Sequence, residues 1–426
     1  MSATITPTAA VEEIHEHVVA RAEKLLCKRY GGSLKLIGAE ILEGSGSSTV
    51  LRLKLTPSPY LQERTVVVKH SPSSDDPLDP TRFLREVVAY QFTTSLPNDV
   101  RPGPVLLAYD MDERLLVISD CGDVDTFADL MDRADADQRC ALLRRLGRAL
   151  GLLHSASADH EQDFDILFRR MVSKHGANAS HAGYRDEALE TGITSGMEFL
   201  ESHGVHIDPA VRRFATEAQR RLVSGQHRAF TPFDLSPDNI VYSERPEFLD
   251  YEWAGFRDAT FDVACVVAGF PQFVFSHRLS DHEADLFVEA WRQEVSTMWP
   301  NVNNPERLRA RIVTALVGWA VLSIWHLNFG PLNVLDQINP EGLDMDDSAH
   351  NTNLGWSAQQ MLDSFDDTAE LERLAKIDIY ETFDALIRFA QRSDDPRFPA
   401  VVSFAEHVID RFVGADFAES LRHSTH

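Results

Sequence analysis

The sequence predicts an α+β chain of two lobes, a small antiparallel β-rich N-terminal lobe and a larger, mainly helical C-terminal lobe. Three observations carry that expectation. The β-forming segments LKLIGAEIL, STVLRLKLT and TVVVKH follow one another early in the chain, separated by Gly/Ser- or Pro-containing turns. After one helix-like segment, strand patterns recur in PVLLAYD and LLVISD. From about residue 123 the periodicity turns helical and stays so, apart from one short hairpin near residues 240–250. The chain is thereby divided into a tail and leading helix over 1–30, an N-terminal lobe over 31–121 and a helical lobe over 122–426.

The elements follow in order. Val11, Ile14, Val18, Val19, Ala22, Leu25 and Leu26 recur at helical spacing and predict a leading helix over 9–29. In TRFLREVVAYQFTTSL the apolar residues Phe83, Val87, Tyr90 and Phe92 share a helical surface, and a Pro-containing stretch ends the helix. The longest apolar stretch, Ile312 to Trp325, is interrupted by Thr314, Gly318 and Ser323 and is shorter than a bilayer-spanning helix, so a buried core helix is expected.

Composition sets outer bounds. With 426 residues and 43% hydrophobic content, the chain can fill one large core or two moderate ones. A formal charge of −25 disfavours attraction to nucleic acid or anionic lipid and leaves cationic partners open. The N-terminus lacks the basic start and continuous apolar run of a secretory signal, and its Glu-rich character argues against a transit peptide, so a cytoplasmic protein is expected. Cys27, Cys121, Cys140 and Cys265 have neither metal-ligand nor redox-pair spacing and read as reduced, mostly buried thiols. Oligomeric state is left open.

The strongest chemical signal is TPFDLSPDNIVYSERPEFLDYEWAG. Asp234 precedes Asn239 by five residues, and a hairpin built from IVY, the turn SERP and EFLD then brings Asp250 back toward Asn239. Phosphoryl transfer to a hydroxyl needs a group that orients the hydroxyl and accepts its proton, and oxygen ligands for metal ions that offset phosphate charge. Asp234 is the candidate base, and Asn239 and Asp250 are candidate Mg²⁺ ligands. Taken alone, Asp-x4-Asn reads more readily as a loop whose side chains turn its backbone. Three further elements tell against that. Lys69 interrupts the apolar strand TVVVKH, from which its ammonium can reach ATP phosphates, and Glu86, seventeen residues on, sits on the amphipathic helix where it can hold Lys69. Upstream, Gly44, Ser45, Gly46, Ser47 and Ser48 form a small-residue turn whose amides can approach phosphates, although Thr49 stands where a full Gly-x-Gly-x-x-Gly pattern would place its last glycine. The order of glycine turn, strand lysine, helix glutamate, Asp-x4-Asn, hairpin and aspartate carries more weight than any member.

In that order the chain resembles the aminoglycoside phosphotransferase and choline kinase superfamily, from about Gly44 to Asp262. FDLSPDN matches the family's His-Gly-Asp-Leu-x-x-x-Asn loop at Asp234, Leu235 and Asn239, LDYEW looks like its Ile-Asp-Trp-Glu stretch, FDVA its Asp-Leu-Ala segment and GLLHS, with His154, its Leu-His helix. Pro232 and Phe233 depart from the usual His-Gly. The resemblance implies a bilobal protein-kinase-like fold and transfer of the ATP γ-phosphate to a small-molecule alcohol, with Mg²⁺ as cofactor. It further implies that Lys69 holds the α/β-phosphates, that LLVISDCGD is an adenine-binding hinge, that Asp262 braces the site and that His154 is structural.

The acceptor is less legible. Between Ile312 and Glu372 there is no Lys or Arg, but there are ten carboxylates: Asp336, Glu341, Asp344, Asp346, Asp347, Asp363, Asp366, Asp367, Glu370 and Glu372. With Trp319, Trp325 and Trp356 this region suits an amine-bearing acceptor such as an amino alcohol, amino sugar or aminoglycoside, while a solvated acidic loop reads as well. Two other functions fit the same residues. A nucleotide-binding pseudokinase would explain Pro232-Phe233, and a protein kinase would use the same centre but lacks Asp-Phe-Gly and Ala-Pro-Glu marks here.

Overall fold

The computed structural model describes residues 9–42, 48–73, 79–175, 184–271, 278–329 and 368–423. Its first element is helix α1 (Ala9–Tyr30), followed by strands β1 (Leu36–Ile41), β2 (Thr49–Leu55) and β3 (Thr65–His70), helix α2 (Asp79–Ser95), and strands β4 (Leu106–Asp110) and β5 (Leu115–Ser119). The strands form one antiparallel sheet in the order β1-β2-β3-β5-β4. Strand alternation gives this sheet two working faces. Val66, Val68, Leu115 and Val117 turn to one side and pack with Val18, Ala22 and Leu26 of α1. Val67, Leu116 and Ile118 turn to the other side, into the main core with Phe83, Val87 and Tyr90 of α2. Lys69, two residues after Val67, therefore lies on the α2 face by period alone.

After β6 (Asp125–Thr126) the chain is predominantly helical: α3 (Phe127–Arg133), α4 (Ala136–Ser157), α5 (Glu161–His175), α6 (Tyr184–Ser202) and α7 (Pro209–Val223). Then come β7 (Arg228–Thr231), β8 (Ile240–Tyr242), β9 (Pro246–Phe248) and β10 (Gly255–Asp258), followed by α8 (Thr260–Val267), α9 (Asp281–Val295), α10 (Pro305–Phe329), α11 (Thr368–Gln391), α12 (Phe398–Phe412) and α13 (Ala415–His423). The two-lobed α+β division expected from the sequence is the architecture observed. One part of the expectation needs correction. The helical lobe holds more strand than the single hairpin: β10 pairs with β7, and β6 pairs with β8. These pieces are two to four residues long, too short to set a period against the helical background.

The apolar stretch of α10 is the core helix that was expected. By length and composition Pro305–Asn328 could cross a membrane, but 83% of its apolar window is buried inside the protein. The cysteines differ from expectation, since only Cys265 is buried and Cys27, Cys121 and Cys140 are half-buried free thiols.

Helices α4 and α9 lie in close contact, and glycine makes the contact possible. A Cβ on Gly147 would sit 2.4 Å from the Phe287 carbonyl oxygen, and one on Gly151 2.9 Å from that of Trp291. This approach brings Trp291 of α9 against His154 of α4. Gly147→Val should force the helices apart and lower stability by about 1–3 kcal/mol, read as a fall in the denaturation midpoint. A second outcome concerns acid. His227 is buried with Nε2 2.8 Å from Asn301 Oδ1, and burial, aided by Arg311, lowers its pKa to about 4. A depressed folded pKa means stability that is present above the unfolded value and is lost as pH falls from about 6.5 toward 4. At pH 4.5 this group should cost roughly 2 kcal/mol, and His227→Asn should flatten that part of the stability-against-pH curve.

Candidate active site

Strand β3 and helix α2 set the first pair of groups. Glu86 lies three residues after Phe83 and four before Tyr90, on the buried face of α2, and is 1% exposed. Lys69 Nζ donates to Glu86 Oε1 at 2.8 Å and to Asp250 Oδ1 at 2.9 Å. Burial is the largest influence on Lys69 and works against its charge, but Asp250, Glu86 and Glu252 together outweigh it and raise its pKa above the ordinary lysine value. Burial lifts the Glu86 carboxyl above the ordinary range, opposed by Lys69 and reinforced by Asp250. The ammonium is thus a fixed cation held between the two lobes.

The hairpin supplies the other side. Ile240 pairs with Phe248, and Leu249 N–H donates to the Asn239 carbonyl at 2.8 Å, so Asp250 is one residue beyond the backbone partner of Asn239. Asp250 has left-handed backbone geometry, φ 57°, which an aspartate tolerates better than most residues. Its N–H is hydrogen-bonded to the buried Tyr90 hydroxyl of α2. Asn239 is half-buried at the end of the short 3-10 turn Pro237–Asn239. Asp234 lies in the loop after β7, 9% exposed, with Oδ1 accepting from Ser236 N–H at 3.3 Å.

Of the glycine turn, Ser48 alone falls within the described residues. Its hydroxyl lies 3.2 Å from that of Ser71, beside the end of β3. Gly44, Ser45, Gly46 and Ser47 lie outside the described residues. The segment after β5, expected to be the hinge, is held to its surroundings by Arg52 Nε donating to Asp120 Oδ1 at 3.2 Å and by Cys121 Sγ donating to Glu247 Oε2 at 3.3 Å.

Two networks around the loop were not read from the sequence as networks. In the first, Trp291 Nε1 donates to His154 Nδ1 at 2.9 Å, which leaves the His154 proton on Nε2, 3.1 Å from Asp262 Oδ2. His154 and Asp262 are fully buried, and the Asp262 carboxylate also accepts the Phe233 N–H. Burial raises the Asp262 pKa, while His154, Arg257 and the Phe233 amide pull it down. The backbone before Asp234 is therefore anchored from α8.

In the second, Asp186 of α6 accepts from Arg85 Nη2 at 2.8 Å and Arg257 Nη2 at 2.7 Å. Burial works against the Asp186 carboxylate, but the two arginines hold its pKa well below the usual range. Arg85 also donates to the Ala254 carbonyl and Arg257 to that of Trp253, so the helix bearing Glu86 is tied to the chain just after Asp250. The signal for Arg257 was its place inside the apolar run AGFRDATFDVA, where a charge must be paired if buried.

Phe233 is the departure with visible structural consequences. It has φ 68°, a conformation that glycine adopts freely and phenylalanine rarely does. Its ring stacks on Trp319 at 4.8 Å between centroids and lies 4.6 Å from the Arg257 guanidinium carbon. Trp319 is thereby taken up in packing, with its indole N–H on the Phe261 carbonyl, and is not an open cation-binding face. Trp325 is also buried, Trp356 lies outside the described residues, and so do eight of the ten carboxylates. The remaining two, Glu370 and Glu372, pair with Arg373 and Lys376 of their own helix.

Phe233→Gly tests which contribution dominates. Relief of the left-handed backbone is worth about 1–2 kcal/mol, whereas removing a buried aromatic ring costs about 3–5 kcal/mol. The variant should be net destabilised by roughly 2 kcal/mol in chemical denaturation. A stabilised variant would show that the ring contributes little.

Residues 40–310 match the family model described as "Phosphotransferase enzyme family". No curated protein matches the sequence. Similar solved structures include a choline/ethanolamine kinase family protein from Mesorhizobium loti, 15% identical over 94% of this chain and 99% of that one, with a TM-score of 0.47. Choline kinase LicA from Streptococcus pneumoniae is 14% identical over 85% and 100% of the two chains, with a TM-score of 0.41. A thermostable mutant of aminoglycoside phosphotransferase APH(4)-Ia is 16% identical over 72% and 93%, with a TM-score of 0.36.

Proposed function

The chain belongs to the phosphotransferase enzyme family, and from that premise we propose that it transfers the γ-phosphate of ATP to a hydroxyl of a small, amine-bearing acceptor. The observation that supports this most is the meeting of Lys69, Glu86 and Asp250, which come from a strand, a helix and a hairpin far apart in sequence. Lysine carries three N–H donors, and Glu86 and Asp250 engage two of them. The third is left for phosphate oxygen, and the raised pKa keeps the cation charged through the working pH range.

Asp234 is assigned as the residue that orients the acceptor hydroxyl and takes its proton while the γ-phosphorus–oxygen bond forms and the bridging bond to ADP breaks. Asp250, beside the strand lysine, and Asn239, whose backbone carbonyl pairs with Leu249 one residue before Asp250, offer hard oxygen donors that fit Mg²⁺, which keeps several waters and takes only one or two protein ligands beside phosphates. When bound, Mg²⁺ would neutralise charge on the phosphates. Ser48 and the turn before it are assigned to cover the phosphates through backbone amides. The amine on the acceptor rests on the formal charge of −25, which favours cationic small molecules by long-range attraction. The same assignment takes the reaction to be cytoplasmic.

Asp234→Ala should lower kcat by about 10²–10⁴-fold while changing Mg·ATP affinity only a few-fold. Asp250→Ala should instead weaken Mg²⁺-dependent nucleotide binding, read by titration with and without the metal. Near-wild-type turnover in both variants would remove the assigned centre, and ATP binding without turnover on any acceptor would favour a pseudokinase. A panel of amino alcohols, amino sugars, neutral sugars and anionic alcohols with labelled ATP tests the acceptor class. Transfer confined to neutral or anionic compounds would overturn the amine assignment.

A further inference from the structure

The net charge of this chain is −25, yet one open cavity of the helical lobe is walled by arginine. Its volume is about 400 Å³, and Arg213 and Arg221 of α7, Arg307 and Arg311 of α10, and Arg397 beside the start of α12 line it. Glu217 is the one carboxylate in its wall. None of these residues belongs to the Lys69–Asp250 centre.

The local charge does not cancel. Glu217 is occupied by Arg220 and Arg221, and these contacts, chiefly with Arg220, lower its pKa to about 2. Arg311 reaches Asp258 and Arg397 reaches Asp395. Six guanidiniums, Arg220 included, thus face three carboxylates. Two donors in the wall, Arg221 Nη1 and Arg311 Nε, are buried and have no hydrogen-bond partner among the described residues. Arg307 lies in the first turn of α10 and Arg397 immediately precedes α12, so the positive ends of two helices stand at the same rim.

We propose that this cavity binds a small phosphate-bearing anion. Guanidinium forks match the geometry of phosphate oxygens, and a phosphate monoester brings close to two negative charges and three strong acceptors to a site with an excess of donors. The volume is that of a small-metabolite pocket rather than of a bound chloride. The net charge of −25 opposes non-specific anion binding to the chain as a whole, against which a local arginine surplus stands out.

The full chain, with its nucleotide site filled by Mg²⁺ and a non-hydrolysable ATP analogue, is titrated calorimetrically at fixed ionic strength with inorganic phosphate, methyl phosphate and acetate. Phosphate and methyl phosphate should each bind saturably at one site, with acetate at least about tenfold weaker. The double variant Arg213→Gln/Arg307→Gln, which changes two exposed side chains, should bind both phosphates about tenfold more weakly or worse, with its melting temperature and ATP turnover unchanged. Arg307→Lys alone should lose less. Absence of saturable binding below about 10 mM, equal affinity for acetate, or undiminished phosphate binding by the double variant would each overturn the proposal.

Discussion

A single buried ammonium sets the terms for this structure. Lys69 sits on the inner face of a sheet, where an unpaired charge would cost several kcal/mol, and its hydrogen-bond partners come from α2 and from the hairpin of the other lobe. Meeting that demand requires the sheet register, the rotation of α2 and the approach of the two lobes to be right at once. Strand period turns Lys69 inward, helix period turns Glu86 toward it, and the β8–β9 register delivers Asp250. Electrostatics here makes the relative placement of the lobes specific, while the hydrophobic clusters supply the cohesion.

Around that charge the helical lobe builds support from behind. Glycine contacts let α4 and α9 approach, the approach lets Trp291 fix the tautomer of His154, and His154 and the Phe233 amide both converge on Asp262. Asp186, shared by Arg85 and Arg257, links the same loop region to α2. The groups assigned to chemistry are therefore held in place by side chains of α4, α6, α8 and α9.

Much of this was legible because it rests on period and order. The alternation around Lys69, the face of α2 and the hairpin between Asn239 and Asp250 follow from spacing along the chain. The short strands β6, β7 and β10 were hidden because two to four residues carry no period and are fixed by pairing with distant segments. The apolar run around Arg257 signals a buried, paired charge, but its partner and the role of Arg85 stayed hidden, because the shared carboxylate comes from α6, far along the chain. The arginine cavity draws from α7, α10 and the start of α12, so the overall acidity of the sequence masks a local surplus of the opposite sign.

The left-handed phenylalanine has a mutational consequence. A glycine at position 233 would hold the loop through backbone permissiveness alone, but here the loop is held by a ring seated between Trp319 and Arg257. Substitutions at those three positions are coupled, because the side chains are in contact. Glycine there leaves a void beside Trp319 and takes the aromatic face from Arg257, so its cost depends on what stands at the other two sites. The aromatic seat therefore behaves as one unit, in which the effect of changing any member is set by the other two.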